Sequence, residues 1–242
     1  MQKKYILLCG LAILAACDKH DPILTGTRTP IFNTSNIVVL NKTISDLPDA
    51  AVTIDNTECR YTQDSQNTIW DGTRKVFSGF ATDNFVKSQQ KPVCSGRYIY
   101  AGLTTGELVK ISPKNRQIMW IADIYRPSNM TGGASIVDII APIIPYRGAV
   151  YAGGLGDAFC KVDAASGVKK WCKDISVAVP FVITDEYAFV VSSDNYLYAI
   201  NTRQGDIYWR SAVKQQAEPI YKSGVISVGT QQFDATGGKI LK

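Results

Sequence analysis

The sequence predicts an all-β fold, specifically a β-propeller of four-stranded blades that is incomplete, with three recognisable blades and a partial fourth. Two observations predict it. A strand–turn–strand grammar recurs across residues 92–242, and a tryptophan closes each full repeat, at Trp120, Trp171 and Trp209.

The first unit reads Gly96-Arg-Tyr-Ile-Tyr-Ala-Gly102, then Thr105-Gly-Glu-Leu-Val-Lys-Ile-Ser112, then Gln117-Ile-Met-Trp120. The second reads Gly148-Ala-Val-Tyr-Ala-Gly-Gly154, Gly156 to Asp163, and Gly167-Val-Lys-Lys-Trp171. The third reads Glu186 to Val191, Asn195 to Asn201, and Gly205-Asp-Ile-Tyr-Trp209. Each has short β-branched and aromatic runs bounded by turn residues, the pattern of successive strands. Asp163-Ala-Ala-Ser-Gly167 and Asn201-Thr-Arg-Gln-Gly205 are turns in which the first side chain can cap its own loop and Gly supplies a positive φ. An apolar strand is expected ahead of each unit, over 139–144 and 177–183, which gives four strands per blade. The tryptophans are expected to pack between blades, with each indole N–H finding an acceptor.

A fourth unit begins at Gly224 and reaches Asp234-Ala-Thr-Gly-Gly238, in phase with Asp163 to Gly167. Its tryptophan position is Lys242. A closed eight-bladed ring at about 40 residues per blade needs roughly 320 residues, so the array reads as shortened or closed by something else. Residues 37–92 are less periodic. Ile37 to Leu40 and Ala51 to Ile54 are each candidate strands, and Thr68-Ile-Trp70 opens a more ordered stretch.

The amino-terminal end is read as an export signal. Lys3 and Lys4 precede an apolar run, Tyr5 to Ile13, that is too short to span a bilayer, and Leu14-Ala-Ala-Cys17 follows. This resembles the bacterial lipobox. That resemblance implies a signal peptide over 1–16, acylation and cleavage at Cys17, and a lipid-anchored polar tether over 17–36, ahead of the propeller domain 37–242. Several acyl chains give stable anchoring where one does not. Asp18 after the lipidated residue resembles an inner-membrane retention signal, so either membrane is open.

Loss of Lys3 and Lys4 takes two from a net charge of +5, and no basic cluster remains to bind nucleic acid. His20 is the only histidine, which removes Ser-His-Asp and Cys-His catalysis and histidine-ligated zinc. No cofactor or metal is expected. Gly153-Gly-Leu-Gly156 lies between two strands rather than ahead of a helix, and reads as a turn. Cys59, Cys94, Cys160 and Cys172 can form disulfides in an exported chain. Their pairing is left open: Cys160 and Cys172 flank one hairpin and could bridge or stay free.

The repeat resembles the pyrroloquinoline-quinone-like propeller unit. Tyr100-Ala-Gly with Thr105-Gly-Glu-Leu-Val, Asp138-Ile-Ile-Ala-Pro142, the lipobox and Asp21-Pro-Ile-Leu-Thr-Gly-Thr-Arg28 together resemble the BamB family of outer-membrane assembly lipoproteins. The resemblance implies a non-enzymatic scaffold on the periplasmic face of the outer membrane. Its partner would be a barrel-inserting subunit, bound through inter-blade loops. The family's loop carries Asp-x-Asp before a proline. Asp138 matches the first aspartate, Ile140 stands at the second, and Tyr125 to Ser135 extend the loop. Two other readings stand beside it: a quinoprotein-type dehydrogenase, which predicts a vicinal cysteine pair that this chain lacks, and a propeller binding another protein or a glycan.

Overall fold

A computed structural model describes residues 37–48, 50–52, 56, 59–83, 85–86, 91–125 and 136–241. The signal segment, Cys17, the tether 17–36 and residues 126–135 of the inter-blade loop lie outside the described residues.

The described chain is all β, and its strands form five antiparallel sheets in chain order. Blade 1 holds β1 (Thr62–Gln63), β2 (Thr68–Asp71) and β3 (Arg74–Ser78). Blade 2 holds β4 (Val93–Ser95), β5 (Tyr98–Gly102), β6 (Glu107–Ser112) and β7 (Gln117–Asp123). Blade 3 holds β8 (Ile144–Tyr146), β9 (Ala149–Gly154), β10 (Ala158–Asp163) and β11 (Lys169–Lys173). Blade 4 holds β12 (Val182–Ile183), β13 (Tyr187–Val191), β14 (Tyr196–Asn201) and β15 (Ile207–Ala212). Blade 5 holds β16 (Pro219–Lys222), β17 (Val225–Val228) and β18 (Gln231–Asp234). Ile240 makes an isolated antiparallel bridge back to Phe233. Each blade is a meander, so neighbours in sequence are neighbours in the sheet.

The three tryptophans join blades as expected. The indole N–H groups of Trp120, Trp171 and Trp209 donate to the carbonyls of Ala164, Thr202 and Ala235 at 3.2, 3.1 and 3.1 Å. Each acceptor lies in the turn before the outer strand of the next blade. The same turn presents a left-handed glycine to the ring. A Cβ on Gly167 would stand 2.7 Å from Trp120, and one on Gly205 would stand 2.7 Å from Trp171. Bare glycine is therefore required twice over, by its φ of 77° or 79° and by the ring against its Cα. Lysines reinforce two of these joints. Lys110 and Lys161, opposite Trp120 and Trp171, donate to the same carbonyls as the indoles, at 2.6 and 2.9 Å. Burial, with Lys170 and Arg203 nearby, pushes the Lys161 ammonium below its ordinary pKa.

A β-bulge recurs just before each tryptophan. Register jumps between Lys110 and Ile111, Lys161 and Val162, and Ala199 and Ile200 leave Met119, Lys170 and Tyr208 as the extra residues. The same jump between Ile69 and Trp70 puts Phe77 in the tryptophan position of blade 1. Phe77 packs with Ile99, Val109 and Ile111 of blade 2. Residues 62–78, which the sequence pattern left outside the blades, are thus a blade whose docking ring is phenylalanine.

Several strands are shorter than expected. Residues 136–143 and 177–181 carry no strand, because Pro142 and Pro180 interrupt the ladder and only 144–146 and 182–183 pair. Ile37–Leu40 is not a strand either, but makes one parallel bridge, Val39 to Ile207 of β15. Its segment continues across blades 4 and 5: Ile44 donates to Thr236 at 2.8 Å and Val52 to Ile183 at 2.7 Å. All four cysteines pair, Cys59 with Cys94 and Cys160 with Cys172. The second joins directly opposed residues of β10 and β11.

Candidate functional site

Sequence reasoning pointed to the loop between blades 2 and 3, and the structure shows how it is held. Leu103 and Leu155 lie in or beside the turns joining the middle strands of their blades. The Leu155 N–H donates to the Asp138 carbonyl at 2.9 Å, and the Ile139 N–H donates to the Leu103 carbonyl at 3.3 Å. Gly154 permits this approach: a Cβ there would stand 2.2 Å from the Asp138 oxygen. The glycine-rich Gly153 to Gly156 stretch is therefore a turn that seats the inter-blade loop.

Asp138 itself is 1% exposed, so its carboxylate is no contact surface as the chain stands. One oxygen accepts the Val86 N–H at 2.5 Å, tying residues 85–86 to the loop. The other, like Oε1 of Gln63, is buried with no hydrogen-bond partner among the described residues. Both residues border a cavity of about 30 Å³, the share of volume one water takes in the liquid. Burial raises the Asp138 pKa, against the lowering by the Val86 amide.

The opposite face carries a polar pocket of about 380 Å³ between blades 3 and 4. Tyr146 donates its hydroxyl to Asp185, which also pairs with Arg147 at 3.0 Å. Deeper, burial pushes the Tyr151 hydroxyl up to about 12. Lys161 reaches the Thr202 carbonyl at 2.9 Å, and at the rim the exposed Ser45 hydroxyl donates to Asp46 at 3.2 Å. A third concavity, about 690 Å³ and mainly apolar, is lined by the innermost strands of blades 2 to 5 through Val93, Ile144, Val182 and Tyr221. Among the described residues, no three carboxylate, cysteine or histidine groups converge to hold a metal. Sequence reasoning missed the polar pocket and the Gln63–Asp138 cavity, because both join residues far apart in sequence and no local pattern marks them.

Stacked four-stranded meanders, each locked to the next by a ring on a turn glycine, define a β-propeller of the tryptophan-docking repeat class. The family model for the outer membrane protein assembly factor BamB matches residues 25–211, and the chain belongs to that family. It is 23% identical over 125 residues to BamB of Alkalilimnicola ehrlichii and 24% identical over 128 residues to BamB of Bordetella pertussis. Each match covers 52% of this chain and 33% of the relative, so the alignments span about a third of those proteins. The fold is similar to the crystal structure of BamB from Moraxella catarrhalis, with TM-score 0.62 at 15% identity over 79% of this chain and 62% of that one.

Proposed function

We propose that this chain is a non-enzymatic periplasmic scaffold in the assembly and insertion of outer-membrane β-barrel proteins. It is anchored by lipid on Cys17 at the periplasmic face of the outer membrane. The observation that carries this reading is the family match across residues 25–211, which takes in the first four of the five blades described. In this reading the loop around Asp138 meets the barrel-inserting subunit through its exposed residues, such as Ile136, while the buried carboxylate positions the loop from below.

Cross-linking of intact cells, capture of this protein and mass spectrometry of what is joined to it test the proposal. Recovery of the barrel-inserting subunit is expected. Its absence with intact, abundant bait would overturn the assembly role. Replacing Cys17 by Ala is expected to abolish acylation and release the protein from membranes; unchanged membrane fractionation would overturn the anchor.

A further inference from the structure

The three complete blades end in equivalent outer strands, and each treats its free edge differently. The first register pair beyond the bulge is Ile111 with Ile118 in blade 2, Val162 with Lys169 in blade 3 and Ile200 with Ile207 in blade 4. Ile118, Lys169 and Ile207 are therefore one position, Met119, Lys170 and Tyr208 the next, and Ile121, Cys172 and Arg210 a third.

In blade 3 the edge is charged. Lys169 and Lys170 are exposed, and Cys172 is tied to the strand behind it. Lysines on an outer strand discourage pairing with another chain. In blade 4 the edge is covered from within. Val39 bridges Ile207 in parallel, the Leu40 N–H donates to the Ile207 carbonyl at 2.9 Å, and the Lys42 N–H donates to the Tyr208 carbonyl at 2.9 Å. Ile207 is 2% exposed as a result, packed with Ile37 and Val39.

In blade 2 the Lys169 ammonium holds only the last residue of β7, at the Asp123 carbonyl at 3.0 Å, and among the described residues neither protection reaches Gln117 to Ala122. β7 is the last strand of its sheet, and Ile118, Met119 and Ile121 are 49, 45 and 49% exposed. No charged residue interrupts β7 between Gln117 and Asp123. An exposed apolar strand with an open backbone edge is a template for another strand. We infer that the outer edge of β7 docks an extended segment of another protein, β-branched or leucine-rich, lying parallel to β7 as Ile37–Leu40 lies along β15. The occupant's chemistry is given by the chain's own segment at the equivalent position, Ile37-Val-Val-Leu-Asn-Lys42. Its amides would meet the Ile118 and Met119 carbonyls, as those of Leu40 and Lys42 meet Ile207 and Tyr208. β7 would do this whichever complex the protein joins.

The test uses the full mature chain and a synthetic peptide of sequence Ile-Val-Val-Leu-Asn-Lys. A photo-cross-linking amino acid replaces Met119, Lys170 or Tyr208 in turn. Adducts with the peptide are expected at position 119, at least tenfold above position 170. Ile118→Lys with Met119→Lys, which copies Lys169 and Lys170 of blade 3 onto solvent-facing positions, is expected to weaken peptide binding tenfold or more with Tm unchanged. Equal labelling at 119 and 170, labelling only at 208, or full binding by the lysine variant would overturn the assignment. So would adducts at 119 of twice the protein's mass, which would make the occupant a second copy.

Discussion

Gly205→Ala tests the joint between blades 3 and 4 in isolation. Two costs arise there and can be separated. The first is conformational: Gly205 has φ +79°, where a Cβ costs roughly 1–2 kcal/mol. Part of that is offset because alanine has less unfolded-state freedom to lose, about 0.4–1 kcal/mol. The second is steric: the new Cβ would stand 2.7 Å from the Trp171 ring, about 1 Å inside comfortable carbon–carbon contact. The ring cannot simply retreat. Its N–H is bonded to Thr202 at 3.1 Å, and its other face packs against Tyr151 and Phe159. Overpacking of this kind costs about 1–3 kcal/mol, and a lost indole bond about 1 more. Gly148→Ala supplies the control. Gly148 has φ +72° in a turn of blade 3, and a Cβ there meets nothing within 4 Å. The expected losses are therefore about 1 kcal/mol for Gly148→Ala and about 2–4 kcal/mol for Gly205→Ala, read by urea denaturation at constant m-value. Equal losses in the two variants would refute the docking of Trp171 on Gly205 as a stabilising contact.

Three further predictions concern other joints. Arg116 occupies, at φ +52°, the turn position that Gly167 and Gly205 hold in the next blades; Arg116→Gly is expected to raise stability by up to about 1 kcal/mol in the same denaturation assay. Reduction of the two disulfides, which close separations of 12 and 35 residues, is expected to cost about 3 and about 4 kcal/mol, measured by thermal melts of the single-pair serine variants. The folded-state pKa of Asp138 lies above its unfolded value, so its contribution to stability is full below the unfolded pKa and is lost as pH rises through the raised folded pKa. Asp138→Asn removes that titration, so the variant's stability relative to wild type is expected to be greatest near pH 7 and to decline towards pH 4; a pH-independent difference between the two melts would count against a buried, titrating carboxylate.

Most of the blade architecture was legible because a repeat states its rules more than once. The ring, the turn with Asp163 or Asn201 at its head, and the glycine four positions on recur at fixed offsets, and the structure uses them as the offsets suggest. Asp163 accepts the amides of Ala165 and Ser166, and Asn201 those of Arg203 and Gln204. Blade 1 was illegible for the same reason. Its docking ring is Phe77 rather than a tryptophan, and no Asp-x-x-x-Gly turn precedes it. The nearby Trp70 draws the eye, yet its indole is spent on Asp64 within the blade. The apolar runs ahead of β8 and β12 misled in the opposite sense. Hydrophobicity over 139–144 and 177–183 reflects burial between blades, and only the residues beyond the prolines reach a partner strand. At the loop, the sequence singled out Asp138 but not its environment, which depends on Val86 and Gln63, residues 52 and 75 positions away.

The structure separates the parts that hold the blades from the parts left for binding. Each joint consumes a ring, a turn carbonyl and, in blades 2 and 3, a lysine, all on the side where the outer strands begin. Residues 37–48 and 50–52 cover that side across blades 4 and 5, with Ile44 and Leu47 in the core they share. The other side, where the middle strands turn and the inter-blade loops cross, is held by backbone bonds, close glycine contacts and side-chain bonds such as Gln63 to the Gly102 carbonyl and Asn67 to Thr104, both at 2.8 Å. A change in an exposed loop side chain there leaves those backbone contacts intact, whereas a bulkier residue at Gly154 would lift the whole 136–140 segment. Under the proposed scaffold role, partner contacts can therefore vary in the loops while the joints stay fixed. Blade 2 stands apart because, among the described residues, Ile118, Met119 and Ile121 of its outer strand remain exposed apolar surface while Trp120 and Ala122 of the same strand serve the joint and the core.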